Sequence, residues 1–315
     1  MAKTLATRMA FGQELIEIAK TNETFVVCNA DTKTCGLEKF GTLFPEREFS
    51  FGIAEQNLVG ASAGLAACGN KVFLATFAVF ASMRACEQVR TFVCYPNLNV
   101  TIIGTHAGLQ VGGDGATHAA IEDVAIMRAF PNMTVVQPAD AVAARALAHA
   151  AVDFTGPLYV RLHRNPVADL YDPATYHFEW GKANTVVDYG NDMTMIVSGI
   201  LLKKAVDAAR ILKEQGIGVK VLDMATIKPL DNQAVIQAAR ETGAIMTIED
   251  HTIFGGLGSA VSEVVVQNCP VPMELVGIQD RFGESGDPEL IYRDHGMDVD
   301  SIVAKAKALV ARKQP

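Results

Sequence analysis

Short apolar runs of strand length alternate with longer stretches of helical period along this chain. In the first half the strand-like runs are residues 24–28, 71–74, 100–103, 133–136 and 158–162. The helical patterns between them are 7–20, 55–67, 81–93, 121–130 and 141–152. Strands alternating with helices predict a mostly parallel sheet covered on both faces. From Asn165 to Gly190 this rhythm breaks: Pro166, Pro173 and a cluster of aromatics replace the apolar period. A second series follows, with strands at 193–197, 220–223, 244–249 and 273–277 and helices at 200–215, 231–242, 258–268 and 301–312. The expected organisation is α/β throughout: a domain at 1–170, a linker at 171–188, and a smaller domain at 189–315.

Composition fits that division. The chain has 315 residues, half of them hydrophobic, which is long for one domain and ample for two cores. No apolar run reaches the ~20 residues that a membrane span needs. Residues 1–14 have helical period and no stretch of leader type. The net charge of −8, with Lys and Arg interspersed among acids, argues against a nucleic-acid surface. An anionic substrate would therefore need a local basic pocket set against the global charge. Cys28, Cys35, Cys68, Cys86, Cys94 and Cys269 form no CxxC pair and no zinc spacing. Buried, reduced thiols in a reducing compartment are expected, hence a cytoplasmic protein.

Three segments carry candidate chemistry. In Phe51-Gly52-Ile53-Ala54-Glu55-Gln56-Asn57 a carboxylate opens a helix whose next turns are small residues. On its own that is an acid stabilised by a helix N-terminus. In the segment from Thr76 to Arg84, Phe77, Phe80 and Met83 recur every third residue, a stripe that core packing alone would explain. The segment from Gly104 to His118 is more informative. It follows an apolar strand and holds five glycines in twelve residues, together with His106, Asp114 and His118. A glycine-rich loop after a strand of an open parallel sheet is where ligands bind. Gly113-Asp114-Gly115 looks like the start of a magnesium and diphosphate signature, but residues 139–151 lack the Asn it needs. His106 and His118 have no third zinc ligand at a usual spacing. No metal is assigned to this chain.

In order and nearly in spacing, these segments resemble the C-terminal half of transketolases. The resemblance covers essentially the whole chain. It includes Asp31-Thr32-Lys33, Ile53-Ala54-Glu55-Gln56-Asn57, Thr76-Phe77 with Phe80, and His106 through His118. In the second half it includes Thr226-Ile227-Lys228-Pro229-Leu230-Asp231 and Glu249-Asp250-His251 followed by Gly255-Gly256-Leu257-Gly258. The fold implied is a pyrimidine-binding domain followed by a transketolase C-terminal domain; the cofactor implied is thiamine diphosphate. Glu55 matches the glutamate that hydrogen-bonds the aminopyrimidine ring. Phe80 matches the ring stacked on it, with Phe77 beside it and Met83 where many relatives have a third aromatic. Asp31 matches an interface aspartate near the cofactor. His118 matches a residue beside the reacting carbon, and Asp114 one that recognises a substrate hydroxyl. His106, Arg8 and Arg164 match the group that holds the substrate phosphate, with Arg161 as an alternative to Arg164.

The sequence also departs from the family. Cys35 stands where many relatives have a phosphate-contacting serine, and a thiol is a weak donor; Thr32 or Lys33 could compensate. The domain that binds the diphosphate through Mg2+ is missing. The resemblance therefore implies a split subunit or a fragment. A partner subunit would supply the diphosphate and Mg2+ site, and active sites across a dimer interface would give an α2β2 assembly acting on a sugar phosphate. Two enzymatic relatives compete. The beta subunit of a 2-oxo acid dehydrogenase lacks the Gly-Asp-Gly-x-Thr-His loop, and deoxyxylulose-phosphate synthase is normally unsplit. A non-catalytic paralogue is the rival of another class; retention of Glu55, Phe80, His106, Asp114 and His118 together argues against it.

Overall fold

The computed structural model describes residues 4–31 and 35–313; Thr32 and Lys33 lie outside the described residues. The strands are β1 (Thr4–Ala6), β2 (Phe25–Asn29), β3 (Glu48–Ser50), β4 (Lys71–Phe77), β5 (Val100–Thr105), β6 (Thr134–Val136) and β7 (Leu158–Arg161). They continue as β8 (Pro166–Ala168), β9 (Asn184–Asp188), β10 (Met193–Val197), β11 (Val219–Asp223), β12 (Thr226–Lys228), β13 (Ile245–Thr252) and β14 (Met273–Ile278).

The first sheet has the order β12-β6-β7-β5-β4-β2-β3 and is parallel except for β12. Successive side chains of a strand point to opposite faces, so each strand feeds two cores. Phe73 and Ala75 of β4 pack with Phe11, Leu15 and Leu147, under helices Thr7–Ala19 and Ala141–Asp153. Val72 and Leu74 pack on the other face with Leu58, Val89 and Val124, under helix Glu55–Ala67 and its neighbours.

The second sheet has the order β14-β13-β10-β11-β9, antiparallel only at β9. Helices Leu202–Glu214 and Val299–Ala311 cover one face, and Asn232–Thr242 and Leu257–Asn268 the other. Among the described residues, no helix is long and apolar enough to cross a membrane.

Two differences from the sequence reading concern how the halves join. The stretch read as linker is partly structured, because β9 is an edge strand of the second sheet. It is half-exposed and lacks an apolar run, so its period is silent in the sequence. In return, β12 leaves the second half and closes the edge of the first sheet on β6. A third difference is local. The helix expected at 81–93 contains two widened turns, with Ala85 N–H donating to Phe80 C=O (3.1 Å) and Tyr95 N–H to Arg90 C=O (3.0 Å). Such i→i+5 turns insert an extra residue and often sit at functional sites.

Candidate active site

In an open parallel sheet, the C-terminal ends of the strands open onto a crevice. Five adjacent strands of the first sheet, β7-β5-β4-β2-β3, bring candidate residues to that edge. Arg164 follows β7, His106 follows β5, Phe77 ends β4, Asp31 follows β2, and Glu55 opens the helix after β3. Asp31 (φ 63°) and His106 (φ 58°) are among the few described non-glycine residues with positive φ. That conformation costs about 1–3 kcal/mol and persists where its surroundings impose it, often at ligand sites.

One wall is aromatic. The Phe77 and Phe80 rings are stacked, 5.9 Å apart at 20°. His118 stands edge-on to both, at 5.4 Å from Phe80 and 5.9 Å from Phe77, and His106 lies 4.1 Å from Phe77. Glu55 is 2 % exposed. Its Oε2 accepts from Arg84 Nη1 at 2.8 Å, and the same guanidinium stands 4.2 Å over the Phe80 ring. Arg84 thus bridges the carboxylate and the ring. In the sequence Arg84 is marked only by its place directly after Met83 of the Phe77/Phe80/Met83 stripe. Met83 itself is exposed, outside the ring cluster, and Asp31 is exposed as well, its N–H held by Asn29 Oδ1 at 3.1 Å.

The other wall is basic. Arg8 Nε donates to Arg164 C=O (3.0 Å), and Arg164 Nη1 reaches Val111 C=O (2.5 Å) and Asp114 Oδ2 (3.0 Å). Burial, then the charges of Arg8, Arg164 and His118, push the His106 imidazole down to about 3. His106 is therefore a neutral hydrogen-bonding group at ordinary pH, and the positive charge of this wall resides on the arginines. Cys35 stands apart. It is packed in the core with Ala10 and Phe11, and burial pushes its thiol up to about 12. A group so enclosed is poorly placed to meet a phosphate.

Arg161, the alternative to Arg164, is fully buried. It donates to Asp123 Oδ2 (2.8 Å), Gln137 Oε1 (3.3 Å) and the carbonyls of Ala120 (2.8 Å) and Asp250 (2.9 Å). It is a structural cation, closed to ligands. Among the described residues, no three His, Cys, Asp or Glu side chains are grouped as a metal site. The donor set fits a planar heteroaromatic ring: a buried carboxylate for its nitrogens and stacked phenyl faces for its surface.

Residues 3–168 match the family model of the transketolase pyrimidine-binding domain, and residues 181–302 match that of the transketolase C-terminal domain. The chain is 40% identical over 309 residues to one of the subunits of the apulose-4-phosphate transketolase of Phocaeicola vulgatus, covering 98% of each. It is 36% identical over 312 residues to the transketolase of Rattus norvegicus, of which it spans 49%. A solved split-gene transketolase, described as an inactive β4 tetramer, superposes with a TM-score of 0.91 at 43% identity, over 98% of this chain and 100% of that one. The chain belongs to the transketolase family, a thiamine-dependent family, and is a transketolase subunit that carries the pyrimidine-binding and C-terminal domains.

Proposed function

We propose that this chain is one half of a split transketolase that moves a two-carbon ketol unit from a ketose phosphate to an aldose, with thiamine diphosphate held between it and a partner subunit. The observation that carries the reading is the convergence of Glu55, the Phe77/Phe80 stack, His118 and the Arg8/Arg164/Asp114 wall on one sheet edge. When bound, thiamine diphosphate supplies the carbon nucleophile and electron sink that ketose cleavage needs. Glu55 would hydrogen-bond a nitrogen of the pyrimidine ring. Phe80 and Phe77 would carry the ring's face, with Met83 at the margin and Asp31 near the junction with the partner. His118 would hold or move a proton at the donor's hydroxyls.

Asp114 would recognise the hydroxyl next to the carbonyl, and its pairing with Arg164 supports a position close to the substrate's phosphate end. Arg8 and Arg164 would bind that phosphate through charged, bidentate donors, with neutral His106 adding a hydrogen bond. The name of the Phocaeicola vulgatus relative, a transketolase subunit for a sugar phosphate, supports this substrate class. Mg2+ and the diphosphate would be bound by the partner. The solved β4 tetramer, inactive by its description, supports that dependence, and the assembly proposed for the active enzyme is α2β2. A cytoplasmic setting suits free cysteines and a sugar phosphate substrate.

The test is to mix this chain and its partner with thiamine diphosphate, Mg2+, xylulose 5-phosphate and ribose 5-phosphate. Sedoheptulose 7-phosphate is expected. Absence of product with every ketose donor tried would reject the reading.

A further inference from the structure

The Glu249-Asp250-His251 run of β13 belongs to the second half of the molecule, and the function above gives it no task. All three side chains are buried. Glu249 serves its own domain, accepting the N–H groups of Leu257 (2.7 Å) and Gly258 (2.8 Å) at the start of helix Leu257–Asn268. The other two reach across. His251 Nε2 accepts Ala125 N–H at 3.3 Å. Asp250 Oδ1 accepts the N–H of Leu109, in the first turn of the glycine-rich loop, at 3.0 Å. Its Oδ2 accepts the Tyr292 hydroxyl (2.7 Å) and lies 3.6 Å from His163 Nε2.

The loop's far end is tied to the same place. Arg161 Nη2 donates both to Asp250 C=O and to Ala120 C=O. From the first tie to just past the second, Leu109, Val111, Ala119 and Ile121 pack into the core cluster of the second domain with Met246, Ile248 and Tyr292. Gly108 permits the approach. It has φ 69°, and a Cβ there would stand 2.0 Å from Asp250 Oδ2, so only glycine admits the carboxylate.

We propose that Asp250 is a positioning residue: it is the group by which the second domain fixes the 106–118 loop, and with it Asp114 and His118, against the aromatic wall. This rests on the transferase reading, which gives Asp114 and His118 their substrate roles. The physical basis is pre-organisation. A loop with five glycines in residues 104–115 has many conformations open to it, and a buried carboxylate held on its other side by Tyr292 cannot follow the loop if it shifts.

The test uses the complete two-subunit assembly and three variants: Asp250→Ala, Asp250→Asn and Tyr292→Phe. Three quantities are read: donor KM and kcat, the Kd for thiamine diphosphate by calorimetry, and amide exchange of loop peptides by mass spectrometry. Asp250→Ala is expected to raise donor KM about tenfold and lower kcat, because a buried N–H loses its acceptor. The cofactor Kd should stay within about twofold, since Glu55 and Phe80 lie outside the loop. Exchange should accelerate at 106–120 and not at 55–67. In Asp250→Asn the amide oxygen still accepts from Leu109, so KM should return to within about threefold of the parent. Unchanged KM and loop exchange in Asp250→Ala would overturn the proposal. So would a cofactor Kd that rises in step with KM, or an Asn variant no better than Ala. If Asp250→Ala does not assemble, Tyr292→Phe decides: faster loop exchange supports the proposal and parental exchange overturns it. An unmodified assembly that transfers no ketol unit would instead reject the transferase reading, and loop exchange would then decide the role of Asp250.

Discussion

Arg161 ends β7 and Arg164 lies three residues further on; each pairs with an aspartate, yet the two pairs sit in opposite surroundings. Arg161–Asp123 (2.8 Å) is fully buried on both sides, whereas Arg164–Asp114 (3.0 Å) is 36% and 39% exposed. Between them stands Arg84–Glu55, exposed on the cation and buried on the acid. Burial separates a pair closed to ligands from one open to them. In the buried pair each charge is desolvated, so burial acts to raise the Asp123 carboxyl, and Arg161 more than offsets it, holding the group below the usual range. The exposed pair is screened by water, contributes little to stability, and leaves its groups accessible to a ligand.

Removing a partner from each pair should break the comparison in order of size. Arg161→Leu leaves Asp123 buried and uncompensated; a loss of about 3–5 kcal/mol in chemical denaturation is expected. Glu55→Gln acts on the mixed pair. It should lower kcat of the assembled enzyme about a hundredfold or more while leaving subunit assembly by size-exclusion chromatography intact. Arg164→Ala should leave the denaturation midpoint nearly unchanged and raise KM for a phosphorylated donor about tenfold. An equal effect on the unphosphorylated donor hydroxypyruvate would count against phosphate contact.

The smallest effect is a slope. His106 titrates near 6.5 when unfolded and about 3 when folded, so the unfolded state binds more protons between those values. Stability should therefore fall as pH drops from about 6.5 toward 3. His163 and His295 are also lowered by burial and add to the same trend. His106→Asn should flatten the dependence of the urea midpoint on pH without removing it.

The central strands were legible because both of their faces are covered: 71–74, 100–103 and 158–162 read as apolar runs and lie in β4, β5 and β7. Edge strands β3, β9 and β12 were not, being short or half-exposed and lacking such runs. The carboxylate, the two phenylalanines and both loop histidines were legible as motifs, and the sheet brings them together. Arg84 and Asp250 were silent as functional residues. Their significance lies in pairings 29 and 141 residues away in sequence, which periodicity does not encode. Cys35 illustrates the converse. Its position in the motif suggested a phosphate contact, and only its burial reveals how enclosed the thiol is.

The place of the pyrimidine ring in the loaded two-subunit assembly is decisive, and a crystal structure of that assembly measures it directly. The expected result places a ring nitrogen within about 2.6–3.2 Å of the Glu55 carboxyl, with the ring face on Phe80. A ring bound elsewhere, with Glu55 turned away from it toward Arg84 alone, would contradict the assignment.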